Sequence, residues 1–471
     1  MRYYLHPSQS YRQEIRAMLT LAGPVVITQL AYISLGFVDT VMVGRLGPDS
    51  LAAVALGNTM FYTATIFCMG VVMAVGPMVS QAFGAGDDDP IGRSVRQGMW
   101  LAAALTIPAF LFVWNAAPIL RLLGQSEPTI ESAAAYLKAI SWGVFPFLGF
   151  SALRGFNEAV SNPRPVTAIA LVGLVMNIGA NYVLMFGKLG FPAMGLVGTG
   201  WASTVVFWTI FLGLVLYSVA KKSYSQYRIF SKLGRPDPHY FKELFRIGWP
   251  IGASMGVEMS LFMIAVMMMG WIGTAQLAAH QVAIQCAAFT FMVPLGIGMA
   301  SSVRVGQAMG ANDRDGVVRA GFVGIGLSVA FMTAAAILFW AAPRSVISLY
   351  LDLGSPDNAP VIDIAVTLLG IAAVFQVFDG VQVSAMGALR GLKDTKTPMM
   401  LAMVSYWPVG LSAAYGLAFV LDLAEVGLWW GLVLGLGSAA ILLTIRFFRQ
   451  TTPNKFAPIN ISTKKIERLF F

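Results

Sequence analysis

Three carboxylates stand where a carboxylate is expensive. Asp39 lies within "SLGFVDTVMVGRLG" (34–47), Glu258 within "GASMGVEMSLFM" (252–263) and Asp379 within "AVFQVFDGVQVSAM" (373–386). Facing lipid, each would cost about 2.5–3.5 kcal/mol or more at mid-bilayer, so such acids turn inward and mark ion or proton pathways. Glu258 follows Arg246 by 12 residues and Asp379 precedes Arg390 by 11. At 1.5 Å per residue both sit roughly 16–18 Å from a segment end, near the middle of a ~30 Å core. They share a depth and a half of the chain, as two acceptors for one cation must; Asp39 lies in the other half. An acid in such a place can hold H⁺, Na⁺ or an organic cation, and exclusion of one charge by another is the physical core of antiport. Glu258 and Asp379, if close, titrate as a coupled pair.

Neutral polar groups surround these acids along the chain. Asn177 and Asn181 in "MNIGANYVLMF" (176–186) are spaced i,i+4 and share a helix face. Their amides could supply oxygens to an ion or bond between helices, and the residues alone leave both roles open. Gln281 and Gln285 share a face of the second apolar segment after the midpoint, and His280 reads as a packed or hydrogen-bonded residue. Met255, Met259, Met263 and Met267 recur every four residues. With Phe289, Phe291, Phe375 and Phe378 they could line a pocket for flat aromatic cations; plain helix packing is the competing meaning.

The elements that must position these groups are membrane helices. The chain has 471 residues, 57% hydrophobic and 11% charged, against about 25% charged in a soluble domain. Twelve apolar segments are long enough to span: 16–43, 51–82, 94–118, 132–154, 165–187, 194–219, 246–270, 277–303, 318–342, 361–389, 398–421 and 425–445. Run length argues for helices rather than barrel strands. No cleavable signal pattern opens the chain, and Cys68 and Cys286 read as buried apolar residues. With the N-terminus in the cytoplasm, 26 of 31 Lys+Arg fall on that side, which predicts both termini inside. The net charge of +9 is thus distributed for lipid head groups rather than nucleic acid.

The sequence repeats itself. Shifted by 226 residues, Pro24–Gly98 matches Pro250–Gly324 at 21 of 75 positions without a gap. "VSQAFGAGDDDPIGR" (79–93) lies over "VGQAMGANDRDGVVR" (305–319); a second match, at 236, pairs "ALRG" (152–155) with "ALRG" (388–391). Six spans per repeat leave both halves in one orientation, related by an axis along the membrane normal, with a site between them. The expected division is a first six-helix bundle at 1–220, a cytoplasmic linker at 221–243, a second bundle at 244–450 and a cytoplasmic tail at 451–471. Pro24 and Pro250 repeat and can kink or hinge the first helix of each half. The acids do not repeat: Asp39 falls on Ala265, Glu258 on Tyr32 and Asp379 on Gly143. Scaffold positions recur while the acids break the symmetry, which assigns the acids to chemistry.

Together these residues resemble the multidrug and toxic compound extrusion (MATE) family, in its bacterial NorM-type branch. The likeness runs to about residue 447 through "GPVVITQL", "VDTVMVGRLG", "VSQAFGAGD", "LRGFNEA", "MNIGANYVLMFG", "GLVGTGWAST", "GWPIGASMGVE" and "FDGVQVSAMGALRGLKDT". It implies an all-α integral membrane fold of twelve helices in two pseudo-symmetric bundles around a central cleft. The implied activity is secondary antiport, exporting amphipathic cations against H⁺ or Na⁺ by alternating access. The resemblance makes Asp39 the proton-coupling acid tied to a hinge at Pro24, and Glu258 and Asp379 the cation-binding acids, where Na⁺ could bind. Asn177 and Asn181 become polar residues of the N-terminal half, and Gln281 a cleft residue near substrate, with Phe289 and Phe375 beside it. Some relatives of this type carry a tyrosine four residues before the second acid; here Phe375 stands there, which shifts weight from Na⁺ to H⁺. A monomer in the bacterial inner membrane is expected, with small cationic substrates and lipid as partners and no cofactor beyond the coupling ion.

Other classes fit less well. A major-facilitator carrier would show a D-R-x-G-R-like loop after its second helix, where "FGAGDDDPIGR" stands. A flippase for lipid-linked precursors would need a cationic cavity for pyrophosphate, and the mid-membrane charges here are acidic. A membrane enzyme would need clustered His, Asp or Cys, and the three histidines (His6, His239, His280) are scattered.

Overall fold

The computed structural model describes residues 10–452 without 232, 233 and 235. Residues 1–9, with His6, most of the tail and those linker positions lie outside the described residues. Each expected span is a helix: α1 (Tyr11–Gly44), α2 (Pro48–Ala85), α3 (Asp88–Trp114), α4 (Glu127–Ser141 and Val144–Ala159), α5 (Arg164–Phe186) and α6 (Gly195–Ala220) in the first half. The second half holds α7 (Pro238–Ile272), α8 (Thr274–Gly310), α9 (Arg314–Ala341), α10 (Pro356–Gly391), α11 (Lys396–Val420) and α12 (Ala424–Thr451). Among the described residues eleven helices are long and apolar enough to cross a bilayer, and twelve when the two parts of α4, bent by 47°, make one crossing. Helices satisfy their own backbone in lipid, which explains why uninterrupted apolar runs take this form.

The helix ends follow the repeat. Asp87 and its mate Asp313 cap α3 and α9, accepting from Asp89 N and Gly316 N, and Asp237 caps α7 by accepting from His239 N and Tyr240 N. Gly86 and its mate Asn312 both turn the chain left-handed, at φ 72° and 56°, as expected of the two residue types that tolerate it.

Two apolar cores divide the molecule, one from α1 to the start of α7 and the other from Leu261 to Phe447. The packing boundary differs from the chain boundary expected at residue 244. Leu244, Ile247 and Ile251 of α7 belong to the first core, while Met18, Leu21 and Ala22 of α1 pack with Ile297, Ala300 and Val303 of α8. Each bundle's first helix therefore begins against the other bundle and crosses into its own, with Pro24 next to its crossing and Pro250 still among residues of the first core. Both proline carbonyls also accept a hydroxyl one turn on, from Thr28 (2.9 Å) and its repeat mate Ser254 (2.8 Å), and Thr167 of α5 adds a third bond at 2.7 Å to Pro24.

The halves interlock at the end that carries the basic loops. Gln81 Nε2 of α2 donates to the Gly391 carbonyl at 2.8 Å, and its repeat mate Gln307 Nε2 of α8 donates to the Ala159 carbonyl at 2.8 Å. A Cβ on Gly84 would run into the Gln307 backbone and one on its mate Gly310 into the Gln81 carbonyl, so glycine at both places lets α2 and α8 touch. Beside this clasp Arg304 donates to both oxygens of Glu14, from Nε at 2.8 Å and Nη2 at 2.6 Å, with both residues buried.

Candidate functional site

Asp39 is 7% exposed and is held by three neutral donors. Asn181 Nδ2 and Asn177 Nδ2 donate to Oδ1 at 2.6 Å and 3.0 Å, and Ser203 Oγ donates to Oδ2 at 3.2 Å. The i,i+4 spacing in α5 delivers both amides to one oxygen, and α6 supplies the hydroxyl. This answers how an acid persists in the apolar first span: neutral hydrogen bonds replace its hydration shell without cancelling its charge. Among the described residues no cation pairs with it. The amide oxygens of Asn177 and Asn181 have no hydrogen-bond partner and remain available to an ion.

Asp39 opens on a cavity of about 280 Å³ between the bundles. The first half contributes Tyr32, Asn58, Tyr136, Arg154, Glu158 and Ser203 to its wall, and the second contributes Met255, Met299 and Arg390. Tyr136 donates to Asn58 Oδ1 at 2.8 Å. Arg154 pairs with Glu158 at 2.7 Å, i,i+4 within α4, and lies 5.9 Å from the Tyr32 ring centroid. The interlock closes one end of this space. Towards the other end the methionine face of α7 continues from Met255, in the cavity wall, through exposed Met259, Met263 and Met267.

The second half is arranged differently. Asp379 is 6% exposed, in the electrostatic range of Glu258, but neither acid belongs to the cavity wall. Phe375, expected beside substrate, is instead packed in the core between Phe262 and Trp429, at 6.2 and 5.7 Å between ring centroids. Gln281 and Phe289 lie two helical turns apart on an exposed face of α8 and also stand outside the cavity wall. His280 is fully buried against Trp429, 5.6 Å between centroids, as its reading as a packed residue requires. Among the described residues no three His, Cys, Asp or Glu side chains gather as a metal site.

Several site residues escaped the sequence reading. Ser203 carries no pattern, because serine is common in membrane helices. Arg154 and Glu158 did carry one, an i,i+4 opposite-charge pair inside "ALRGFNEA" (152–159).

Two interlocked bundles of six spans, enclosing a cavity that reaches a buried acid, define a membrane transporter. Residues 24–183 and 250–415 match the MatE family, the two matched stretches falling one in each half, and the chain belongs to that family. It is 42% identical over 438 residues to a probable multidrug resistance protein NorM of Pseudomonas aeruginosa, covering 93% of this chain and 90% of the relative. It is 41% identical over 446 residues to a protein of the same description in Mesorhizobium japonicum, covering 94% and 96%. The crystal structure of the eukaryotic MATE transporter AtDTX14 superposes with a TM-score of 0.83 at 21% identity, over 94% of this chain and 99% of that one.

Proposed function

We propose that this chain is a multidrug efflux transporter that exports amphipathic cations in exchange for H⁺ or Na⁺. The observation that carries the reading is Asp39, a buried acid held by neutral donors and open to a cavity between the two halves. A proton or Na⁺ at Asp39 and a cationic substrate in the cavity compete through one negative charge. Glu258 and Asp379 form the second cation site, with Asn177 and Asn181 supplying oxygens in the first half. Gln281, Phe289 and the methionine face of α7 meet substrate in the open part of the cleft. Alternating access breaks the clasp and rocks the bundles about Pro24 and Pro250. The transporter works as a monomer in lipid, in the bacterial inner membrane, with both termini in the cytoplasm.

Ethidium export from proteoliposomes under separately imposed pH and Na⁺ gradients tests this. Export driven by either gradient supports antiport and names the ion. Export that ignores both gradients overturns it.

A further inference from the structure

The second bundle holds buried polar groups that nothing above uses. Tyr406, in α11, is fully buried and its hydroxyl has no hydrogen-bond partner. Asp379 Oδ1 and Gln382 Oε1, three residues apart on one face of α10, have none either. Tyr406 lies in the electrostatic range of Glu258 on α7 and of Asp379 and Arg390 on α10. His280, on α8, is buried against Trp429 of α12 in the same bundle, and Cys286 lies in the same apolar core. Buried polar atoms in folded proteins are almost always partnered, so three such oxygens beside an acid pair mark a place where something binds.

The backbone of α11 points to the same place. The helix widens into π-helical turns over Ser405–Leu411, beginning one residue before Tyr406. Such turns are rare and concentrate at functional sites. The repeat shows what changed there. Aligning Pro165 with Pro398, a shift of 233, puts Gly410 where α5 has Asn177 and Ala414 where it has Asn181. The second half has therefore lost both amides that serve Asp39. Tyr406, standing where α5 has Gly173, brings a hydroxyl one turn earlier. Phe375, on Asp379's own helix face, offers no oxygen.

We propose that the Tyr406 hydroxyl is a ligand of the cation site in the second bundle, completing an all-oxygen set with Glu258, Asp379 and Gln382 for one monovalent cation. A set of oxygens without sulfur or imidazole selects H⁺ or an alkali ion over transition metals. The proposal rests on the reading of Glu258 and Asp379 as a cation site.

The test uses full-length protein carrying Tyr406→Phe, which removes one oxygen and keeps the ring. Export of ethidium from proteoliposomes is followed against Na⁺ concentration and, separately, against pH, alongside Asp379→Asn. Radioactive Na⁺ binding to the purified protein serves as a readout free of transport. The expected result is a rise of about tenfold or more in the driving-ion concentration for half-maximal export, with the loss confined to sub-saturating ion. Whichever arm shows the shift names the ion. Ion dependence and Na⁺ binding that overlay the unaltered protein, while Asp379→Asn stops export, would overturn the role of Tyr406 alone. Normal export by Asp379→Asn would overturn the underlying cation site, and with it this ligand.

Discussion

The two halves solve the buried-acid problem in opposite ways. In the first, Asp39 has its donors in place, one at 2.6 Å, and stands at the wall of the cavity. In the second, Asp379 keeps an unpartnered oxygen and stands outside the cavity wall. Duplication copied the helices, the prolines and the clasp, but not the acid or its partners. A prewired acid is ready to release and take up a small ion as the cavity opens. An acid lacking partners depends on what binds to it. On the antiport reading proposed above, such a pair of designs would couple an ion to cargo without making the two half-sites compete as equals.

The comparison breaks most directly at Asp39. Asp39→Asn should abolish coupling, removing the whole ratio of gradient-driven to undriven ethidium export, typically about 5- to 150-fold for linked sites. A ratio unchanged from the parent would shift the coupling role to the second half alone. Next in size is the interlock. Arg304→Met strands Glu14 as a buried charge and should lower thermal stability in detergent by about 3–5 kcal/mol. Glu14→Gln added to it should restore much of the loss, and absence of any recovery would deny the pair its role. Asn181→Ala sharpens the contrast on the first side. It removes a bond to a charged group worth about 1.5–3 kcal/mol, and the apparent affinity for the driving ion should move correspondingly. The smallest effect is expected on the second side. The Ser405 hydroxyl has no partner, so Ser405→Ala should stay within about 0.5 kcal/mol in a thermal melt. A marked destabilisation would show that α11 has a hydrogen bond there after all.

Much of this was legible in the sequence because membranes make hydropathy decisive. The expected span 165–187 is the helix Arg164–Phe186, and 425–445 lies inside Ala424–Thr451. The bend of α4 at Trp142 and Gly143 was not legible, since an apolar run looks the same bent or straight. Nor were the π-helical turns of α11, which contain Pro408 and lie where Gly410 approaches Gly435 of α12. Asp39 and the two asparagines could be found because residue type and i,i+4 spacing both spoke. Ser203 and Tyr406 could not, because their types are ordinary and only tertiary placement singles them out. Phe375 shows the limit from the other side: a face can be read from spacing, but not what that face meets.

The reciprocal clasp carries a historical implication. Gln81 reaches the backbone of the opposite half and Gln307 reaches back, with Gly84 and Gly310 making room in turn. The donors and the glycines are repeat mates, as in a contact between two copies of one chain, while the acceptors Gly391 and Ala159 are not mates of each other. An ancestral six-helix chain could have made such a contact by pairing with a copy of itself. The ion pair between Glu14 and Arg304 and the acids of the two sites have no such mates. The interlock thus keeps what the two halves share, and the sites above it hold what they do not.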